Sequence, residues 1–574
     1  MLINGPVRAS GAAGSNNITV YAAGPVTQSI ATEAGLQTRY ADPLADGALK
    51  VVTFNDAGAA ISLKNNLGTG AGGICPGTAG SGNCAGPLIL ETRFASGDAT
   101  AAFAPGNIDY NSINGTTIFG IGTAANVTFI APSHSISTGG INGREVAFYA
   151  AGSDPNALDS SGDISLNVQI RNSDINKGAS GGSLSLIADG SININNPGNA
   201  KLGVSIGERT GTSAIGDPIV ENFDHDLKLV AGGNINIAGS IYLQGDLKLR
   251  ADASQQEVKA LAVDPVPALG SGKGSVVISV PATSVYPVEV KAKTVLIGAQ
   301  GASAFYPVNN VTLAASSKQL PADGKGMQTD AVLSSQNWMN IYLTGDLSLI
   351  GGTSAAVTSS TTTSAVRSSA AAAILAKDIT IIGLKQANNP DLPQTNASNM
   401  TLQAGTAAAD NRAGSGAFAS ADAVIFAEAA KYADIGGDLT LLGGTTNRDG
   451  SSVVAARAAI DPTELKITTG GNVVLIGGIG INATASITNV GDIAMRIGGK
   501  APVTYTDTAR GKQTTAGGGL VIVGAPGASG LFDSKNNPIS FDTPPVQVIF
   551  TGGGGYLVYL DPGRADAYIQ SGTL

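Results

Sequence analysis

The phrase Asp226-Leu227-Lys228-Leu229 returns 20 residues later as Asp246-Leu247-Lys248-Leu249. Between the copies stand two further short segments, Ile235-Asn236-Ile237 and Ile241-Tyr242-Leu243, set off by glycines. An apolar residue on each side of a lysine is the two-residue alternation of a strand with one face buried and the other in water. Three such strands that end where they began describe a chain going round a three-sided coil. A coil of this kind buries its inner face only against its own copies, so the repeat decides the architecture before any other feature is considered.

The same period recurs. Gly162-Asp163-Ile164-Ser165-Leu166 is followed after 20 residues by Gly182-Ser183-Leu184-Ser185-Leu186, and Gly471-Asn472-Val473-Val474-Leu475 by Gly491-Asp492-Ile493-Ala494-Met495. Eight residues separate Leu184 from Ile192 and Leu227 from Ile235, so the layout inside the repeat is shared as well. Elsewhere the step lengthens, to 32 residues from Asp346 to Asp378 and 34 from Asp438 to Asn472. The extra length is rich in Ser, Thr and Ala and reads as insertions at one corner. The blocks GDLSLIGGT and GDLTLLGGT, 92 residues apart, look like a duplicated multi-coil unit. Alanine favours helix, yet the stretches at 368–374 and 418–425 are expected to be strands, because 453–460 holds the same place in its own repeat.

The corner phrase has a physical rationale. Glycine supplies the positive φ of a sharp turn, and Asp or Asn tolerates the left-handed region and can bond its own backbone. Asp226, Asp246, Asp346, Asp438, Asn472 and Asp492 are therefore expected as structural corner residues whose copies stack from coil to coil. Three regions are expected: 1–110 as a variant or capping β region, 111–500 as the repeats, and 501–574 as a β end region.

Composition narrows the class. The 574 residues include 78 glycines, roughly twice the usual ~7% share, and 13% are charged against a usual ~25%. Hydrophobic residues make up 43% but aromatics only 5%, so the interior is narrow and built from Val, Ile, Leu and Ala. A net charge of -9, with Lys and Arg scattered, argues against nucleic acid, which needs a basic footprint. Cys75 and Cys84 close a small glycine-rich loop that lacks histidine, which points away from zinc and toward a disulfide formed in an oxidising, extracellular compartment. Two free thiols are the alternative. No run of about 20 apolar residues spans a membrane. Met1-Leu2-Ile3-Asn4 does not open a signal peptide, so either export information has been removed or the chain is a piece of a longer precursor.

The corner phrase, the 20-residue coil, and stretches such as Asn399-Met-Thr-Leu-Gln-Ala-Gly-Thr406 and Gly470-Gly-Asn-Val-Val-Leu-Ile-Gly-Gly478 resemble the filamentous-haemagglutinin-like exoproteins of Gram-negative bacteria, over roughly residues 115 to 530. The resemblance implies an all-β, right-handed parallel β-helix, export by two-partner secretion, and roles in adhesion, surface fibres or contact-dependent delivery. That family's secretion module carries an Asn-Pro-Asn-Gly type motif, and the nearest stretch here, Asn195-Asn-Pro-Gly-Asn199, lies in mid-chain. The expectation is a β-solenoid with a minimal coil of about 20 residues and corner insertions, acting as an extracellular or cell-surface structural or adhesive protein. Its partners would be copies of itself joined head to tail in a filament or longer rod, surface glycans, or host or other cells. The alternative is a carbohydrate-binding or carbohydrate-degrading β-helix.

Local motifs add no chemistry to this. Asp224-His225-Asp226 is the most tempting cluster, but Asp226 already has a corner role shared with Asp246. Gly178-Ala-Ser180-Gly-Gly182 matches a nucleophile elbow without the required strand-turn-helix setting. Gly68-Thr-Gly70-Ala-Gly-Gly73 leads into the cysteine loop and not into a helix. Asn114, Asn126, Asn310 and Asn399 open Asn-x-Ser/Thr triplets that read as solvated turns. Trp338, Tyr342, Tyr306 and Phe305 are the densest aromatic group, either a sugar-stacking platform or local packing. No catalytic, cofactor or metal residue is assigned.

Overall fold

The computed structural model describes residues 163–488, apart from the segments 168–182, 197–202, 213–217, 254–273, 318–325, 359–364, 384–397, 412–415 and some shorter gaps; outside that span it describes strands, mainly by their backbone. All the described elements are strands. Long all-parallel sheets, with strands that recur at regular spacing, make the fold a parallel β-helix. The chain divides into two compact units, Met1–Val276 with Val290–Tyr306, and Val277–Glu289 with Pro307–Leu574.

In the first unit one coil runs through Asp226–Ala231, Ile235–Ile237 and Ser240–Tyr242, then returns as Asp246–Arg250. These define a first, second and third face. Leu227 lies in register with Leu247, Lys228 with Lys248 and Leu229 with Leu249, so the 20-residue coil is real. The coil beneath it pairs Leu184 with Leu227 and Ile192 with Ile235. All the inward leucines and isoleucines of this coil are buried, whereas Lys248 reaches water. An antiparallel hairpin, Glu208–Thr212 with Pro218–Glu221, is inserted at the corner after the third-face strand Val204–Ile206. Strands nearer the N-terminus, such as Ile18–Ala22, Leu49–Phe54 and Leu88–Arg93, pair in the same parallel manner.

The second unit repeats the plan with like stacked on like. On the second face Leu313, Leu349, Leu402, Leu441 and Leu475 form one buried column. On the third face Ala331, Ala372, Ala423, Ala458 and Ala485 form another, beside Leu333, Ile374, Ile425, Ile460 and Ile487. Fully burying one such Leu or Ile is worth about 1.5–3 kcal/mol, and the column repeats that gain at every coil. Ala423–Ile435 and Ala458–Thr469 run unbroken from the third face to the first, with an irregularity in register between Ala427 and Ala430 where they turn the corner.

Corner side chains hold successive coils in register. Ahead of the second face, the Asp346 N–H donates to Asn310 Oδ1 at 2.7 Å, the Asn399 N–H to Asp346 Oδ1 at 2.9 Å, the Asp438 N–H to Asn399 Oδ1 at 2.9 Å, and the Asn472 N–H to Asp438 Oδ1 at 2.6 Å. Amide and acid alternate along this ladder. Asn399 Nδ2 also donates to Asp346 Oδ1 at 3.0 Å, which two stacked carboxylates could not achieve. The first unit has an equivalent series in Asp163, Ser191, Asn234 and Ser275.

The geometry corrects four expectations. First, the corner residues do not form one set. Asp226 and Asp246 stand ahead of the first face, where the Asp246 N–H donates to Asp226 Oδ1 at 2.7 Å, while Asp346, Asp438 and Asn472 stand ahead of the second. Asp492 lies outside the described residues. Second, because two corners share one phrase, some spacings measured corner to corner rather than coil to coil. Asp163 stacks on Ser191, 28 residues on, and not on Ser183. Leu347–Ile350 pairs with Met400–Gln403, not with Asp378–Gly383, and Ile493–Ile497 pairs with Leu465–Thr469, not with Val473–Ile476. The 34-residue step from Asp438 to Asn472 is a true coil, and the 92-residue duplication is two coils, of 53 and 39 residues. Third, the corner glycines are needed for space and not for positive φ. A β-carbon on Gly345, Gly437 or Gly471 would collide with the side-chain oxygen of Asn310, Asn399 or Asp438 in the preceding coil, and none of the three has a positive φ. Fourth, Asp226, Asn310, Asp346, Asn399 and Asp438 accept from the next coil's backbone, and Asp246 from the next coil's Thr294 hydroxyl.

Alternation along the ladder makes a test. Asn399→Asp would place three carboxylates in succession and should lower stability at pH 7 by about 1–3 kcal/mol. The new carboxyl titrates above its unfolded value, so the deficit shrinks as the pH falls toward about 4. Asn399→Ala should cost about 1 kcal/mol with no such pH dependence. Urea denaturation of both variants across that range separates the two effects.

Candidate functional site

Three consecutive coils of the second unit carry the Ser/Thr/Ala-rich insertions, and these build a blade. Beyond the second face the chain runs out as Thr353–Thr358, Thr406–Asn411 and Thr445–Asp449, and returns as Val366–Ser369, Ala417–Ser420 and Val453–Ala455. The outgoing strands form one three-stranded parallel sheet and the returning strands another. Ala356, Val366, Ala407, Ala409, Ala417, Ala419, Ala421 and Val454 fill the space between them as a core of their own. The alanine-rich stretches are thus strands, as the repeat required, and their small side chains keep the blade thin.

A backbone neck separates this core from that of the coil. The Gly352 N–H donates to the Ala370 carbonyl at 2.8 Å, the Gly405 N–H to Ala421 at 2.7 Å and the Gly444 N–H to Ala456 at 3.0 Å. A β-carbon on Gly405 would strike the carbonyl oxygen of Gly352, and one on Gly444 that of Gly405. The Gly-Gly-Thr ending of the duplicated blocks follows from this close approach.

Two cores joined by a neck leave the outer surface re-entrant where each returning strand turns into the third face. Flanking this groove, the outward positions are Phe418 and Val453 on the returning blade strands and Leu375, Val424 and Phe426 on the third face. Phe426 is 42% exposed and Val453 48%, high values for large apolar side chains. The Arg367 guanidinium lies 5.1 Å from the centre of the Phe418 ring. At the turn into the third face Arg457 Nη2 bonds Asp422 Oδ2 at 2.8 Å, and the Arg457 N–H donates to Asp422 Oδ1 at 2.8 Å.

Asp330 occupies the same corner two coils earlier. It accepts from the Ala371 N–H and the Ser369 hydroxyl, both at 2.7 Å. Burial pushes its carboxyl up to about 6, because the two hydrogen bonds recover only part of the lost hydration and Glu289 and Asp422 add negative charge nearby. The carboxyl is enclosed, although the residue as a whole keeps some accessible surface.

Of the sequence candidates, Asp226, Asp246, Asp346, Asp438 and Asn472 are ladder members, and the ladder does not gather them at one site. Asn310 and Asn399 are ladder members too, their side chains engaged between coils rather than turned out as solvated turns. Trp338 is 39% exposed, whereas Tyr342 on the same strand is buried, and burial raises its pKa. Tyr306 belongs to the other unit. The side chain of Phe305, the cysteine loop with Cys75 and Cys84, Asp224-His225, Gly68–Gly73 and Gly178–Gly182 lie outside the described residues. Sequence reasoning missed Asp330, Asp422 and the groove. A signal was present: Asp330-Ala331-Val332 and Asp422-Ala423-Val424 lie 92 residues apart, the spacing of the duplicated blocks.

Among the described residues no group of three or more His, Cys, Asp or Glu is placed to hold a metal ion, and no helix is long and apolar enough to cross a membrane. No family model matches the chain, and no curated protein or solved structure matches it.

Asp330 gives a pH prediction. Its folded pKa is raised, so the stability it contributes is complete below about pH 4 and lost as the pH rises through about 6. A shift of about two units is worth about 3 kcal/mol. Asp330→Asn keeps the Ala371 bond at Oδ1, lets Nδ2 donate to the Ser369 hydroxyl in place of the bond it now accepts, removes the charge, and should abolish the decline. Urea midpoints of wild type and variant, compared between pH 4 and pH 7, test this.

Proposed function

We propose that the chain is an extracellular structural or adhesive β-solenoid, a surface-fibre subunit of filamentous-haemagglutinin-like type whose coils join end to end. The observation that carries this reading is the corner ladder, in which polar side chains repeat coil after coil and serve the stack itself. A protein that spends its Asp and Asn in this way is suited to length and rigidity. A β-helix presents unpaired backbone at its terminal coils, a template for another copy. Head-to-tail joining of that kind is heterologous and gives an open filament.

Carbohydrate binding is a second reading, favoured by the exposed Phe426 ring and by the Arg367–Phe418 pair on the neighbouring returning strands. Aromatic faces flanked by a guanidinium suit the apolar face and hydroxyls of a sugar.

Negative-stain microscopy of the concentrated chain tests the first reading. Filaments that lengthen with concentration are expected, and uniform single particles at every concentration would overturn it. For the second reading, a glycan that binds wild type should bind Phe426→Ala at least tenfold more weakly. Equal binding would exclude the groove.

A further inference from the structure

In the second unit, exposed charges stand at outward positions of the first and third faces, at Lys466 and Asp461. Among the described residues the outward positions of the second face carry none: Ser348 and Ile350, Thr401 and Gln403, and Thr440 and Leu442 follow one another across three coils. Ile350 is 39% exposed. Past the glycine neck the outgoing blade sheet continues with the column Thr353, Thr406 and Thr445, and charge reappears toward the blade tip at Asp410, at Asp449 in register with it, and at Arg448 in register with Ala409. A soluble surface normally carries about 25–35% charged residues with both signs mixed. A face built of small and uncharged side chains over several coils departs from that rule.

We infer that this face is a lateral association surface for a second copy of the chain, distinct from any end-to-end joining. Three features favour that occupant. The surface carries charge only toward the blade tip, so a charged partner has little to recognise. Its ridges repeat at the ~4.8 Å spacing of stacked strands, a period that another copy of the same face reproduces. Its extent is also sufficient. Four second-face strands and three blade strands, at ~4.8 Å per strand and ~3.3 Å per residue, cover on the order of 500 Å². Two such faces bury about 1,000 Å², the threshold that specific interfaces clear. Packing of like face on like face is isologous and closes as a dimer.

Sedimentation of the full chain, from low to high micromolar concentration, tests the inference. Wild type should show a reversible closed dimer. Thr401→Lys combined with Thr440→Lys should weaken dimerisation at least tenfold, while Thr380→Lys, on the outward side of the first face, should leave it unchanged. Ser348→Lys, measured alone, guards against a double variant that fails to fold, and urea midpoints establish folding. A wild type monomeric at every concentration overturns the inference, as does a dimer that survives the folded second-face variants. A monomer captured through this face by crystalline cellulose or chitin would overturn it in favour of a polysaccharide surface.

Discussion

Parallel hydrogen bonding between successive coils is the constraint on which the rest of this structure depends. Strands ~4.8 Å apart place each residue directly over its counterpart, so every position must be compatible with a copy of itself. Leucine on leucine and alanine on alanine meet that demand by packing. Carboxylate on carboxylate meets it less well, and although Asp226 and Asp246 do stack at the first-face corner, the order Asn310, Asp346, Asn399, Asp438, Asn472 at the second avoids it by alternation. The same spacing explains glycine. With a neighbouring carbonyl or amide oxygen already in the place of a β-carbon, Gly345, Gly405, Gly437, Gly444 and Gly471 admit no other residue without a shift of the backbone.

The fold was legible because this constraint writes itself into sequence as repetition. Leu227 and Leu247 announced the minimal coil, and the equal spacings from Leu184 to Ile192 and Leu227 to Ile235 announced its internal layout. What misled was the sharing of one local solution by two corners. Asp226 and Asp346 meet the same backbone need in different places, so a search for the phrase counts both and mistakes the interval between them for a coil. The blade was half legible. Its insertions were visible as length, and its strands as small-residue alternation, but nothing local said that three insertions would stack into two sheets with a shared core.

The groove was hidden for a different reason. Arg367, Phe418 and Val453 are neighbours in space only because they occupy one position in three coils, dozens of residues apart. Sequence motifs capture chemistry gathered within a few residues, as in a loop or a helix turn. A solenoid gathers it along the stacking axis instead. Asp330 and Asp422 illustrate the difference, since each is an ordinary corner residue in its own coil, and only their shared column shows that one is enclosed and the other paired with Arg457.

This division of labour also limits where function can reside. Inward side chains are committed to the core, and corner side chains to the ladder, so neither can change without disturbing the stack. Outward positions and insertions are what remain free to vary. A charged residue on an outward position costs the stack little, because solvent screens it from its neighbours. Its absence from the described second face while Asp461 and Lys466 stand on the others is therefore not imposed by the coil. The fold tolerates charge there, and the chain does without it, which places the explanation for that face in what the protein touches rather than in how it folds.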